Sequence, residues 1–320
     1  MINLKKIGLT ALAGSLVATS VAYGAELSVS GSAGMSVQNH SQKATGKNVK
    51  MANSVYFTGS GETDSGLNVN LSFEMDQGTP SGDGPFDSHF VSIGNDTIGT
   101  LTVHGHGGSN SAAALDTTAA GDLWDSTLGI NTTAAFSTRN APLASSSGNN
   151  LVVYSLPSMI DDLSVGVSTQ LTTAGGSAST AFGLTYAGVD GLSVSYGQGK
   201  SEGTKGVSGD QTIMKASYVI GSITASASHN QMDHTTNTND QEVTSYGLSY
   251  TLTDAISLSY GEETIDRALK VSDIEVKGVT ASYTTGGMTV SLKQVSADHT
   301  DHTTVTSNNE MWKLGLSLAF

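Results

Sequence analysis

Three carboxylates, Asp116, Asp122 and Asp125, lie close together in the chain, and Arg139 is the one base near them. Trp124 stands between two of the acids in the run Gly121-Asp122-Leu123-Trp124-Asp125. An indole there suits an anchor against a wall, which would leave the flanking carboxylates facing water. Fixed acids gathered in a narrow aqueous passage favour cations. The plainer alternative is that all three are solvated loop residues. A second constellation is His104-x-His106, which would bind a transition metal only with a third converging ligand. His229, His234, His299 and His302 lie near Asp233, Asp298 and Asp301 in polar stretches, where solvated side chains are the default, and no metal ligand is assigned. No Gly-x-Ser-x-Gly, His-Glu-x-x-His, phosphate-loop or dinucleotide fingerprint occurs, and nothing points to an enzyme. A net charge of -14 with only 14 Lys and Arg argues against nucleic acid as a partner.

The acids sit in a long stretch, residues 105–150, without sustained alternation. A loop of this length inside a compact domain is functional or disordered. The stretches on either side alternate with a period of two, which is the mark of β-strands. Glu26 to Gln38 places Leu27, Val29, Ala33, Met35 and Val37 on one face and mostly serines on the other. A polar loop with Lys43, Lys47 and Lys50 follows, and the next strand is expected from about Met51. Further strands are expected near 67–76, 89–94 and 99–105, then from 151, 163, 180, 192, 209, 222, 242, 256, 273, 288 and 309, which makes sixteen. Tight turns such as Asp64-Ser65-Gly66, Val189-Asp190-Gly191 and Gly286-Gly287 alternate with longer polar connections. That rhythm, an even strand number and one apolar face per strand predict an all-β, antiparallel transmembrane β-barrel. A soluble β-solenoid would be equally rich in Gly, Ser and Thr, but it would show a fixed repeat, and the hairpins here have unequal loops.

Composition agrees with this. Charged residues make up 13% of 320, Gly numbers 38 and Cys is absent. With a mean hydropathy of -0.08, no segment past the N-terminus reads as a helical membrane span. Residues 1–24 read as a secretory signal: Lys5 and Lys6, an apolar run over 7–21, then Ala22-Tyr23-Gly24-Ala25. Cleavage after Gly24, or one residue on, would leave residues 25–320 as one barrel domain and take the net charge from -14 to -16. Between Met51 and Gly199 the only base is Arg139, against thirteen acids. Glu74, Lys215, Lys277, Lys293 and Lys313 are each assigned to the polar parity of their strands, and so to the lumen.

The last strand sharpens the class. Trp312, Leu314, Leu316, Leu318 and Phe320 alternate with Lys313, Gly315, Ser317 and Ala319. This resembles the C-terminal assembly signal of bacterial outer-membrane proteins. Together with sixteen strands, the signal segment and the long insertion after strand 5, the chain resembles the general Gram-negative porins. It is most similar to the alphaproteobacterial ones, many of which open like Glu26-Leu27-Ser28-Val29-Ser30-Gly31-Ser32.

The resemblance implies a homotrimeric outer-membrane channel for small hydrophilic solutes. It also implies contacts with outer-membrane lipid, lipopolysaccharide and the barrel-assembly machinery. The loop 105–150 would fold inward as the constriction, carrying Asp116, Asp122, Trp124, Asp125 and Arg139. No cofactor is expected. Calcium on loop carboxylates is known in the wider family, although no EF-hand spacing supports it here. Many general porins set arginines on the early strands opposite an acidic loop. This chain departs from that pattern, so the expectation is a cation-preferring pore. The competing class is a surface structural or adhesive β-protein with no open lumen.

Overall fold

In the computed structural model the described residues are 26–41, 47–76, 86–124, 149–170, 179–201, 209–235, 240–300, 302 and 309–320. They form sixteen strands. The first five are β1 (Glu26–His40), β2 (Lys47–Glu62), β3 (Asn68–Asp76), β4 (Phe86–Asn95) and β5 (Gly99–His106). After the insertion come β6 (Leu151–Ser155), β7 (Leu163–Gln170), β8 (Ser179–Val189), β9 (Leu192–Ser201) and β10 (Gly209–Ile220). The rest are β11 (Ile223–His234), β12 (Gln241–Thr253), β13 (Ile256–Arg267), β14 (Ile274–Thr285), β15 (Met288–Asp298) and β16 (Asn309–Ala319). Each strand pairs antiparallel with its sequence neighbours, and β1 pairs with β16 to close the barrel. Closure leaves no strand edge unpaired, which is what allows a sheet to sit in hydrocarbon. The expected signal segment, Asp125 and Arg139 lie outside the described residues.

The apolar residues face outward. Leu248, Leu258, Val279, Leu292 and Leu314 are each between 45% and 53% exposed. Directly opposed partners share a face, so Leu248↔Tyr260, Tyr260↔Val279 and Leu292↔Leu314 continue one apolar belt around the outside. Such a belt is stable only against lipid. The inward parity carries Ser, Thr, Asn and Gly along most of each strand: Ser226↔Gly247↔Gly261↔Gly278 is one such row. The turns at one end are short. Gly191, Gly221 and Gly286 take φ of 75°, 59° and 56° there, a left-handed conformation that an L side chain resists. Most of the longer connections lie at the other end, residues 156–162 between β6 and β7 being the exception.

β2 is longer than its alternation predicts, with a consequence for charge. β2 begins at Lys47, so Lys50 is not a loop residue but stands on β2 opposite Ser36, on the inward face. The polar run 47–50 hid the strand because its lysines do not alternate with apolar partners on both sides.

At the seam, the backbone N–H of Gly31 donates to Phe320 O at 2.7 Å, and the N–H of Phe320 donates to Gly31 O at 3.0 Å. The Phe320 ring lies over Gly31. A Cβ at that glycine would stand 2.7 Å from the ring and 2.9 Å from Ser54 O. Trp312, Leu314, Leu316 and Leu318 share the outward parity of β16 with that ring.

Candidate functional site

The barrel interior is not uniformly polar. At the long-loop end of β12–β16 the inward positions turn apolar: Val243, Ile265, Ile274, Val276, Val295 and Met311 are at most 2% exposed. They are buried because Leu123 and Trp124, from the insertion after β5, pack into them as one cluster. A smaller cluster of Ala112, Ala181 and Ile213, with Leu115 against it, lies on the inner face of β8–β10. Residues 110–124 therefore run along the inner wall from β7 to β15.

Hydrogen bonds tie that segment down at each step. Ser111 N donates to Ser168 Oγ at 2.9 Å, and Asn230 Nδ2 donates to Asp116 O at 2.7 Å. Lys215 Nζ donates to Thr117 O at 2.7 Å. Ala119 N and Ala120 N donate to Ser228 Oγ and Ser245 Oγ, both at 2.9 Å. The strongest fastening is the Glu263 carboxylate, 1% exposed on β13. It accepts from Thr118 Oγ1 at 2.5 Å, Leu123 N at 2.8 Å and Trp124 N at 2.9 Å. Three donors on one buried carboxylate are a charge-assisted clamp.

The wall is shaped to receive this backbone. Gly183 and Gly197 face Ser111 and Ala112, and Gly247, Gly261 and Gly278 face Ala119, Ala120 and Leu123. A Cβ at Gly183 or Gly247 would collide with the carbonyl oxygen of Ser111 or Ala119, and one at Gly261 would stand 2.6 Å from Ala120 Cβ. The glycines are there to admit another stretch of chain. Gly183→Val is accordingly expected to lift residues 111–115 off the wall at a cost of about 1–3 kcal/mol. The check is amide hydrogen exchange, which is expected to quicken at Ser111 and Ala112 while the strand amides stay protected.

The residues singled out from the sequence fall as follows. Trp124 is buried against the wall at 2% exposure. Asp116 and Asp122 are 5% exposed each. Asp122 Oδ1 accepts from Thr118 N at 2.9 Å, while Thr118 Oγ1 accepts from Asp122 N at 2.8 Å, a reciprocal brace inside the segment. The carboxylate thus helps hold the segment's shape.

Glu74 stands on the inward parity of β3, where Tyr56 Oη donates to it at 2.7 Å and Ser88 Oγ at 2.6 Å. Lys293 and Lys313 are directly opposed on the inner face of β15 and β16. Lys313 also lies across from Gln38, and Lys50 lies across from Ser36 on the next strands. A concavity of about 330 Å³ on this wall is lined by Lys50, Lys313, Ser36 and Ser291.

Lys277 corrects the expectation of a lumen-facing charge. It shares parity with Val279 and Tyr283, which are 49% and 46% exposed on the outer face, and its Nζ lies 3.8 Å from Glu262 Oε1 there. Near the long-loop end β14 rises above the apolar belt, so its outer face becomes polar. Its inner face becomes apolar against Leu123 and Trp124. Parity read across the whole strand confuses the two.

His104 packs on Phe90 at 5.4 Å, and His106 Nδ1 lies 3.5 Å from Asp87 Oδ1. Among the described residues no group of three or more His, Cys, Asp or Glu is placed to hold a metal. Sequence reasoning missed Glu263 and Lys50. The signal for Glu263 was Val243, Ile265, Val276 and Val295, apolar residues on the polar parity, which require something apolar inside the barrel.

The comparisons agree with this architecture. A family model described as Gram-negative porin matches residues 8–320. An anion-selective porin from Comamonas acidovorans superposes with a TM-score of 0.71 at 14% identity, over 92% of this chain and 100% of that one. A porin refined at 1.8 Å resolution does so at 0.67 and 18% identity, again over 92% and 100%. OmpT of Vibrio cholerae, an outer membrane protein, with its loop L8 deleted, gives 0.68 and 13% identity over 93% and 100%. At these identities the likeness speaks to the fold alone. No curated protein matches the chain.

Proposed function

The chain belongs to the Gram-negative porin family, and from that premise we propose what its channel passes and how it is narrowed. It is an outer-membrane channel protein and not an enzyme. Small hydrophilic solutes and ions cross it by passive diffusion. The observation that supports this is the inner face, lined by Ser, Thr, Asn and Gly in a sixteen-stranded barrel, a size that leaves an aqueous channel unless something fills it. Residues 107–124, seated on the inner wall, narrow that channel, with Asp116, Asp122 and Trp124 in the narrowing. Asp125 and Arg139 continue the same connection outside the described residues.

Export by the signal segment, homotrimer assembly, contact with lipopolysaccharide and recognition of the last strand by the barrel-assembly machinery follow from the family resemblance and belong to the same proposal. Bilayer recordings of the refolded protein test it. Discrete ohmic steps, in threes for a trimer, are expected, and a sealed bilayer would favour a structural surface protein instead.

The finer reading is a preference for cations. Acids crowd both rims: Asp64, Asp96, Asp162, Asp190 and Asp254 at the short-turn end, and Asp233, Asp240, Asp266, Asp273 and Asp298 at the other. Such rims raise the local cation concentration at each mouth. A specific observation favours the opposite reading: Lys50, Lys293 and Lys313 gather on one inner wall, and one structural neighbour is an anion-selective porin.

A reversal potential under a salt gradient separates the two readings. The expected sign is that of cation preference. Replacing Lys50, Lys293 and Lys313 together by methionine is expected to raise the cation-to-anion permeability ratio about fivefold, the worth of ~1 kcal/mol of charge interaction in water-like surroundings. A chloride-preferring wild type sinks the cation reading and leaves the lysine wall as the selective element.

A further inference from the structure

We propose that the inner wall of β2–β5 is a binding site for an organic ammonium solute, with its charge on the Glu74 carboxylate and its apolar body on the Phe90 ring. The site rests on the reading that residues 107–124 narrow an open channel, and it names a solute class for that narrowing. An apolar residue on the polar parity asks for an apolar neighbour inside the barrel. Val243 and Ile265 find theirs in Leu123 and Trp124. Phe90 also stands on the polar parity, opposed by Ser72 on β3 and His104 on β5, but it belongs to neither buried cluster. Its ring lies 5.4 Å from the His104 imidazole and stays partly exposed. On this wall the apolar neighbour is a passing solute.

The carboxylate beside that ring is held ready. Tyr56 Oη donates to Glu74 Oε1 at 2.7 Å, and Ser88 Oγ donates to Oε2 at 2.6 Å. The two hydroxyls fix the carboxylate, and each oxygen keeps a lone pair for another donor. Among the described residues no Lys or Arg forms an ion pair with Glu74. Lys50, the inward base on the neighbouring strand, precedes Tyr56 by six residues on β2, about 20 Å along the strand. Asp76, of the same parity as Glu74, adds negative charge. Phe90 opposes Ser72, two residues before Glu74, a diagonal relation that sets the two side chains about 7 Å apart at their Cβ atoms. The carboxylate accepts from an ammonium, and the ring face attracts the same charge. An aromatic surface with a few placed polar groups is the usual form of a ligand site. β3 stands eight strands from β11 in the ring of sixteen, so the site faces residues 110–124 across the lumen. Glu74 is the seventh residue of β3 and Asn230, which holds Asp116, is the eighth of β11, both counted from the short-turn end. The two therefore lie at similar heights, and a solute in the narrowing passes this wall.

The probe is phenethylammonium, with 2-phenylethanol as its neutral counterpart. Ligand-observed NMR titration of the full chain, refolded in detergent, measures binding without needing an open pore. Block of potassium current in bilayers then places the site in the lumen. Glu74→Gln is expected to bind phenethylammonium roughly tenfold more weakly, the loss of one hydrogen bond to a charged group, and its half-blocking concentration is expected to rise by the same factor. Its binding of 2-phenylethanol does not change. Phe90→Ala is expected to weaken both probes. Heat-modifiable migration shows that each variant is folded, and if Phe90→Ala is not, Glu74→Gln, which keeps the shape of the side chain, decides alone. Equal affinity of wild type and Glu74→Gln for phenethylammonium overturns the proposal. So does weakened binding with an unmoved half-block, because the site would then lie outside the lumen. The failures are distinguishable: a sealed bilayer with Glu74-dependent binding ends the channel reading and keeps the site, and an ohmic channel without such binding does the reverse.

Discussion

Glu263→Ala is expected to free residues 110–124 from the inner wall and to convert a steady channel into a larger, fluctuating one. The carboxylate accepts three hydrogen bonds from that segment, two of them from the backbone amides of Leu123 and Trp124. Without it, those buried N–H groups have lost their acceptor, at a cost of about 1–3 kcal/mol each. The segment does not simply leave. Trp124 and Leu123 still bury apolar surface against Val243, Ile265 and Val295, and Ser168, Ser228 and Ser245 still accept from its amides. The balance is a seated population that exchanges with a released one. Single-channel records are expected to show higher mean conductance and added open-state noise, while resistance of the barrel to heat in detergent changes little, because the strand ladders are untouched. Glu263→Gln, which keeps one acceptor oxygen, is expected to fall between. Wild-type conductance in Glu263→Ala would mean that the segment does not narrow the channel.

How much of this was legible in the sequence depends on which forces act on each residue. The barrel was legible, because lipid outside and water inside impose a period of two on every strand, and short turns at one end impose a period on the connections. The sixteen strands and their order match that reading. The apolar parity of Trp312 to Phe320 likewise identified the outward face of β16. The long connection was legible as an anomaly, and Trp124 as its anchor, because an indole amid small polar residues has little other use.

What could not be read was the partner of that anchor. Glu263 looks like any strand acid, and only the fold brings it to residues 139 and 140 positions earlier in the chain. Glycines on the inner wall are legible as glycines but not as a seat, since Gly183 and Gly247 gain their meaning from Ser111 and Ala119. Lys277 shows where the period fails. A strand that crosses from lipid to water reverses the chemistry of its outer face partway along, and one that also crosses an inserted segment reverses its inner face. Ile274 and Val276 on one parity, then Val279 and Tyr283 on the other, record that crossing.

The seam between β1 and β16 is expected to be the place where a single small change most reduces the yield of folded barrel. Every other neighbouring pair is consecutive in the chain, and even β5 and β6, the most widely separated of these, have only residues 107–150 between them. β1 and β16 meet only after the remaining chain is placed, and their pairing bears the entropy of the largest loop in the molecule. Beyond the β1–β16 ladder proper, the pair is secured by Gly31 and Phe320, which exchange two backbone hydrogen bonds while the ring covers the glycine. Gly31→Val places methyl groups where the ring and Ser54 O already are, and displacement of the ring would expose the last backbone pair to lipid, where an unpaired polar group costs several kcal/mol. Phe320→Ala removes the ring but leaves the backbone pair, so its effect on a barrel already formed is smaller. The expected result is a loss of most folded, heat-modifiable protein in Gly31→Val during refolding into detergent, with a partial loss in Phe320→Ala. The molecules of either variant that do insert are expected to conduct as wild type does, because the ring and the glycine both lie on the outer face, away from Glu263, Lys293 and Lys313. If Gly31→Val refolds at wild-type yield, closure does not depend on this contact, and the seam is held by the Ser32↔Ala319 to His40↔Met311 ladder alone.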